Sequence, residues 1–215
     1  MNKVEAFPVI INGQTGYDIR INDHGASVQD YIDALDLFIE KTKFHRSRKP
    51  NLESCYGCSL CCRERIPVTL IDALQIDDSN LHKVIRDWLH VYVEDRVVDI
   101  TLGLDEQGRC RFLNDSKQIC GIYQTRPLVC HTFICCPSTL NARQLREDIV
   151  NSGEDELVRS WFKTKNESGF LVIHEAVSPA PNPIDYAKTP FFGVIDYNQV
   201  KLKKICSEEL WTKLV

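Results

Sequence analysis

The placement of cysteine constrains this sequence more than any other feature. The chain has 215 residues and ten cysteines, of which nine lie between residues 55 and 136 while Cys206 stands apart. Cysteines that merely fill a hydrophobic core would be spread more evenly. A chain of this length can bury most of its apolar surface, so it does not need disulfides for stability. The cluster therefore indicates metal binding or redox chemistry.

Charge and hydropathy restrict the partners and the compartment. The chain has 30 Asp and Glu against 26 Lys and Arg, so it lacks a general basic field and nucleic acid is not an expected partner. Its amino terminus lacks the apolar core of a secretory signal, and no apolar run is long enough to cross a bilayer. We therefore expect a cytoplasmic protein without a membrane partner, in a compartment that keeps thiols reduced.

Hydrophobic periodicity predicts a helix-rich chain with a few strands. Residues 7–22 resemble two short strands around a Gly-containing turn, and Ser27 with Asp30 forms a capping-box pattern at the start of an amphipathic helix. Thr69 with Asp72 indicates a second, short helix. Further helices are predicted at 81–92, on either side of a break at 151–153, and through Leu202, Ile205 and Leu210, with extended segments at 97–104 and 170–173.

These patterns predict an α+β fold: a helix-rich single domain with a few short strands around an irregular, cysteine-rich metal-binding core. Residues 1–49 would supply the strand pair, the first helix and a basic linker. Residues 50–137 would form the chelating core, and residues 138–215 a helical extension packed on it.

The sequence Cys55-Tyr-Gly-Cys58-Ser-Leu-Cys61-Cys62 carries the chemistry. Three cysteines at two-residue intervals can direct their thiolates into one small volume, as in loops that wrap a [4Fe–4S] cluster. The spacing of Cys62 differs from that of bacterial ferredoxins, so a fourth ligand would come from Cys62 or from the later cysteines. Those are Cys110, Cys120, Cys130, Cys135 and Cys136. Zinc is the alternative, because it also binds paired Cys-x-x-Cys elements; the triple spacing favours the iron–sulfur cluster.

Three other roles for these cysteines are open. A redox dithiol would use Cys55 with Cys58, or the vicinal pairs. An enzyme that modifies a peptide or protein substrate would use the metal together with the basic stretch 41–49, which could attract an anion. A structural zinc module would only support an interaction surface. Cys206 lies on an apolar helical stripe and is interpreted as a core residue.

Four separated elements resemble one known family. They are the Cys-x-x-Cys-x-x-Cys-Cys motif, Cys110-Arg-Phe-Leu, the run from Cys120-Gly-Ile-Tyr to Arg-Pro-Leu-Val-Cys130, and Phe133. In this order they are similar to the YkgJ-type cysteine cluster proteins, whose domain is described as zinc- or iron-chelating. The resemblance covers about residues 50–137.

The resemblance implies a core ligand set and residues that brace it. The implied ligands are Cys55, Cys58, Cys61, Cys62, Cys110, Cys120 and Cys130, braced by Tyr123, Arg126 and Pro127. Arg126 would donate hydrogen bonds to thiolates and so tune the bound group. This chain departs from the pattern at His131, a possible extra ligand, and at Cys135 and Cys136, which could serve a second site.

Overall fold

The chain contains both helices and short strands. A computed structural model describes residues 2–48, 58–114 and 116–215. The helices in these residues are α1 (Val28–Lys41), α2 (Leu70–Ile76), α3 (Leu81–Trp88), α4 (Leu128–Thr132), α5 (Leu140–Ser168) and α6 (Glu208–Leu214). The strands are β1 (Val4–Ile11), β2 (Gln14–Ile21), β3 (Leu89–Glu94), β4 (Val97–Leu102), β5 (Leu113–Asn114), β6 (Ile119–Cys120) and β7 (Glu175–Val177). The predicted helix-rich α+β class is confirmed.

The amino-terminal prediction is confirmed in its elements. Strands β1 and β2 form an antiparallel hairpin, and the turn between them uses positive φ at Asn12 and Gly13. Ser27 is the N-cap of helix α1 and forms a complete capping box, because Ser27 and Asp30 each accept a hydrogen bond from the other's backbone N–H. The cap satisfies amide groups that the first helical turn leaves unpaired.

The central sheet has the order β4-β3-β7, with β3 antiparallel to β4 and parallel to β7. The predicted helix at 81–92 is wrong beyond Trp88, because β3 begins at Leu89. Leu89, Val91 and Val93 alternate with less buried residues, and strand pairing outweighs the helical spacing. The strand predicted at 170–173 is also wrong: the strand that joins this sheet is β7.

The predicted helix break at 151–153 is wrong, since α5 is continuous through it. Gly153 serves helix packing instead. A Cβ atom at Gly153 would lie 2.5 Å from Cγ2 of Thr69, the N-cap residue of α2, and 3.2 Å from the Phe191 ring. The glycine therefore lets α2 and α5 approach each other closely.

Replacement of Gly153 by alanine is expected to destabilise the protein. Alanine favours a helix interior by roughly 1 kcal/mol over glycine. Overpacking a closely packed site costs about 1–3 kcal/mol, however, so we expect a net decrease in the free energy of unfolding. Urea unfolding of Gly153→Ala would measure it, with Asn151→Ala on an exposed position of the same helix as control. A Gly153→Ala protein at least as stable as wild type would contradict this packing role.

One hydrophobic core joins the three predicted segments of the chain. Tyr31, Ile100 and Trp161 are all fully buried in it, and each belongs to a different segment. The predicted carboxy-terminal helix is divided: Leu202–Lys204 is a separate 3-10 turn, and α6 starts at Glu208. None of the helices in the described residues combines the length and apolar character needed to cross a membrane.

Candidate metal centre

Cysteines that are distant in sequence line one cavity of about 100 Å³. They are Cys58, Cys61, Cys62, Cys110, Cys120, Cys130 and Cys135. Apolar side chains, among them Leu102 and Phe112, complete much of the wall. The fold therefore brings the first cysteine motif and the later cysteines to a common place, although nearly fifty residues separate Cys62 from Cys110 in the sequence.

Backbone hydrogen bonds connect the first motif to the later cysteines. Cys61 and Cys62 belong to a single 3-10 turn, and the carbonyl of Cys62 accepts a hydrogen bond from the N–H of Cys110 at 2.6 Å. Cys120 lies in β6, directly opposite Leu113 of β5. A short hairpin thus carries Cys120 back to the cavity that Cys110 enters.

Cys130 is positioned by helix α4, and Asp72 fixes the start of that helix. One Asp72 oxygen accepts hydrogen bonds from the Leu128 N–H at 2.9 Å and from the Tyr197 hydroxyl at 2.6 Å. Its other oxygen accepts the Thr69 N–H of the α2 capping box at 2.9 Å. Asp72 is buried, and this burial raises its pKa. A satisfied buried carboxylate of this kind fixes its neighbours in one arrangement.

Arg126 and Tyr123 form another part of the cavity wall. The Arg126 guanidinium donates to the backbone carbonyls of Tyr123 at 3.1 Å and Cys130 at 3.3 Å, and to the Asp36 carboxylate at 2.8 Å. It also stacks over the Tyr123 ring, with 4.2 Å between the guanidinium carbon and the ring centroid. These contacts hold the backbone on either side of the turn that leads to Cys130.

Two arginines of the basic stretch also line the cavity, namely Arg46 and Arg48. Arg48 forms an ion pair with Glu64 at 2.5 Å and lies 5.5 Å from the centroid of the Phe133 ring. Arg65, by contrast, pairs with Glu175 at 2.9 Å on the surface. The positive charge beside the thiols thus comes from Arg46 and Arg48, which precede the motif, and from Arg126.

The thiols differ in acidity. A hydrogen bond with Cys62 is the largest influence on Cys61 and lowers its pKa to about 6, and the nearby Arg48 acts in the same direction. The same hydrogen bond raises the pKa of Cys62. Burial raises the pKa values of Cys110, Cys120 and Cys130. Thiols must lose their protons to bind a metal, so binding here would release protons.

The remaining predicted site residues lie in different places. Cys55 falls outside the described residues. Cys136 packs against the hydrophobic core and is absent from the cavity lining, whereas the adjacent Cys135 belongs to it. His131 Nδ1 lies 2.8 Å from Asp36 Oδ2. Cys206 also packs against the core, and burial raises its pKa to about 12.

The chemistry of this donor set fits a thiolate-bound metal. Thiolate ligands select zinc and iron–sulfur clusters over the oxygen-preferring ions. In the part of the chain that the structure describes, no three His, Cys, Asp or Glu side chains are grouped tightly enough to hold one metal ion. The thiols of the described residues line a cavity and are not grouped around one point.

Sequence reasoning missed three residues that support the site: Asp36, Asp72 and Tyr197. Asp72 carried a signal only for its local role as the capping-box partner of Thr69. Its Oδ1 atom accepts hydrogen bonds from the Leu128 N–H and the Tyr197 hydroxyl, 56 and 125 positions away in the sequence. Asp36 is one of several acidic residues on α1, and nothing in the local pattern distinguishes it.

Comparison with known proteins identifies the domain that holds these cysteines. Residues 54–157 match the family model CxxCxxCC, described as "Putative zinc- or iron-chelating domain". No curated protein and no solved structure matches the chain. The matched stretch includes every cysteine that lines the cavity. Residues 54–157 of this chain are therefore similar to the CxxCxxCC domain, whose description names zinc or iron as the metal.

Proposed function

We propose that this protein holds an iron–sulfur cluster in the cavity lined by its cysteines. The observation that carries the proposal is the common cavity itself: seven thiols from separated stretches of the chain line it. Thiols in the hydrophobic interior would pack among different neighbours across the core. The concentration of thiols at one cavity favours a shared ligand.

Two features favour a cluster over a single zinc ion. The Cys-x-x-Cys-x-x-Cys spacing is typical of loops that wrap a cubane cluster. Zinc requires its four ligands to converge, with each sulfur about 2.3 Å from the ion. The described thiols instead surround a cavity of about 100 Å³. A cluster of several atoms fills such a cavity better than a single ion does.

The proposed ligands are Cys55, Cys58 and Cys61 together with a thiol from the later part of the site. The candidates for that fourth position are Cys62, Cys110, Cys120 and Cys130. Cys135 lines the same cavity and is a further candidate, whereas Cys136 packs against the core. When bound, an iron–sulfur cluster supplies one-electron transfer. We also propose that the protein is located in the cytoplasm, where thiols remain reduced.

Anaerobic purification followed by metal analysis tests this proposal. We expect a brown protein with broad visible absorption and with iron and acid-labile sulfide in equal amounts, as a cubane cluster requires. Zinc analysis of the same sample is the internal control. A colourless protein with stoichiometric zinc would reject the cluster in favour of a zinc site.

A further inference from the structure

Asp36 connects helix α1 to the wall of the cysteine cavity. It lies outside the matched stretch 54–157, yet both of its carboxylate oxygens bond to residues inside that stretch. Oδ1 accepts a hydrogen bond from Arg126 Nη2 at 2.8 Å, and Oδ2 lies 2.8 Å from His131 Nδ1. One carboxylate therefore holds two side chains that flank Cys130 in the sequence.

Arg126, which Asp36 holds in place, is itself hydrogen-bonded to the backbone around Cys130. Its other donors reach the carbonyls of Tyr123 and Cys130. The side chains of Arg126 and His131 are only 11% and 12% exposed. Hydrogen bonds to charged groups are stronger when water is largely excluded, so the network is well placed to fix this turn.

Asp36 and Asp72 hold the Cys130 segment in different ways. Asp72 is fully enclosed and accepts hydrogen bonds from three buried residues, Thr69, Leu128 and Tyr197. The Asp36 side chain is 38% exposed and contacts the segment from the surface of α1. Loss of Asp36 would therefore release the cavity wall while leaving the hydrophobic core in place.

We propose that Asp36 is a positioning residue for the metal centre: by holding Arg126 and His131 it sets the placement of Cys130 and the retention of the bound metal. This inference rests on the proposed metal binding. It gives α1, which precedes the chelating domain, a part in that domain's chemistry. Partners that orient metal ligands from outside typically change metal affinity about 10–100-fold when removed.

The test compares Asp36→Asn with Asp33→Asn in the full chain. Both substitutions remove one charge from α1, but Asp33 is exposed. In the part of the chain that the structure describes, its side chain accepts a hydrogen bond only from Gln29, at 2.8 Å. Release of bound iron or zinc to excess EDTA is followed anaerobically. We expect Asp36→Asn to release metal about 10-fold faster or more, and Asp33→Asn to match wild type.

A second measurement separates positioning from general stability. The melting temperature of the metal-free Asp36→Asn protein should equal that of metal-free Asp33→Asn, and Asp36→Glu should recover part of the metal retention. Equal release rates for the two Asn variants would overturn the role of Asp36 alone. A wild-type protein that binds no metal would overturn the proposed function as well. If Asp36→Asn does not fold, His131→Gln replaces it, with the same expected increase in release rate.

Discussion

Removal of the bound metal is expected to open the stretch 104–127 while the rest of the fold stays intact. In the described residues of this stretch, the regular structure is limited to the two-residue strands β5 and β6 and one 3-10 turn, so it has little regular structure to hold it without the metal. A structural zinc contributes on the order of 10 kcal/mol to the folding of small domains, and loss of a comparable ligand would dominate here. Helix α5 and the β1–β2 hairpin have their own buried contacts.

Hydrogen exchange read by mass spectrometry would measure this opening before and after anaerobic chelation. Amides in 104–127 should exchange at least about 100-fold faster without metal, which corresponds to roughly 3 kcal/mol of lost local stability. Peptides from α5 and from the hairpin are the internal control. Equal acceleration everywhere would indicate global unfolding, and unchanged exchange would argue against a metal in the cavity.

The sequence predicted which cysteines come together better than it predicted the contacts that position them. Cysteine spacing and the resemblance together pointed to the thiols that line the cavity, because residue type and order along the chain indicate which side chains can bind a metal. The capping boxes at Ser27 and Thr69 were predictable for a similar reason, since each involves residues only three positions apart. Such local interactions need no knowledge of the tertiary structure.

What the sequence could not predict depends on long-range contacts. Leu89 begins a strand because β4 is available to pair with it, and position 153 within α5 is a glycine because Thr69 leaves no room for a side chain there. Asp36 reaches Arg126 across 90 positions of sequence. In each case the deciding partner lies far away, and local preference is only a weak guide.

Replacement of Cys130 by serine is expected to cause a larger loss of metal than replacement of Asp36 by asparagine. A serine hydroxyl is a poor substitute for a thiolate, and α4 fixes the position of residue 130 through Asp72. Loss of a supporting partner alone costs about 10–100-fold in affinity, so loss of a ligand should cost on the order of 100-fold or more. Metal content after gel filtration with a competing chelator would measure it.

Cys206→Ser provides the matched control for this loss. Cys206 is also a partly buried thiol, but it packs against the core and does not line the cavity. Its substitution changes the same atom and should leave the metal content at the wild-type value. A Cys130→Ser protein that retains metal as firmly as Cys206→Ser would exclude Cys130 as a ligand. The fourth ligand would then be sought among Cys62, Cys110 and Cys120, whose thiols line the same cavity.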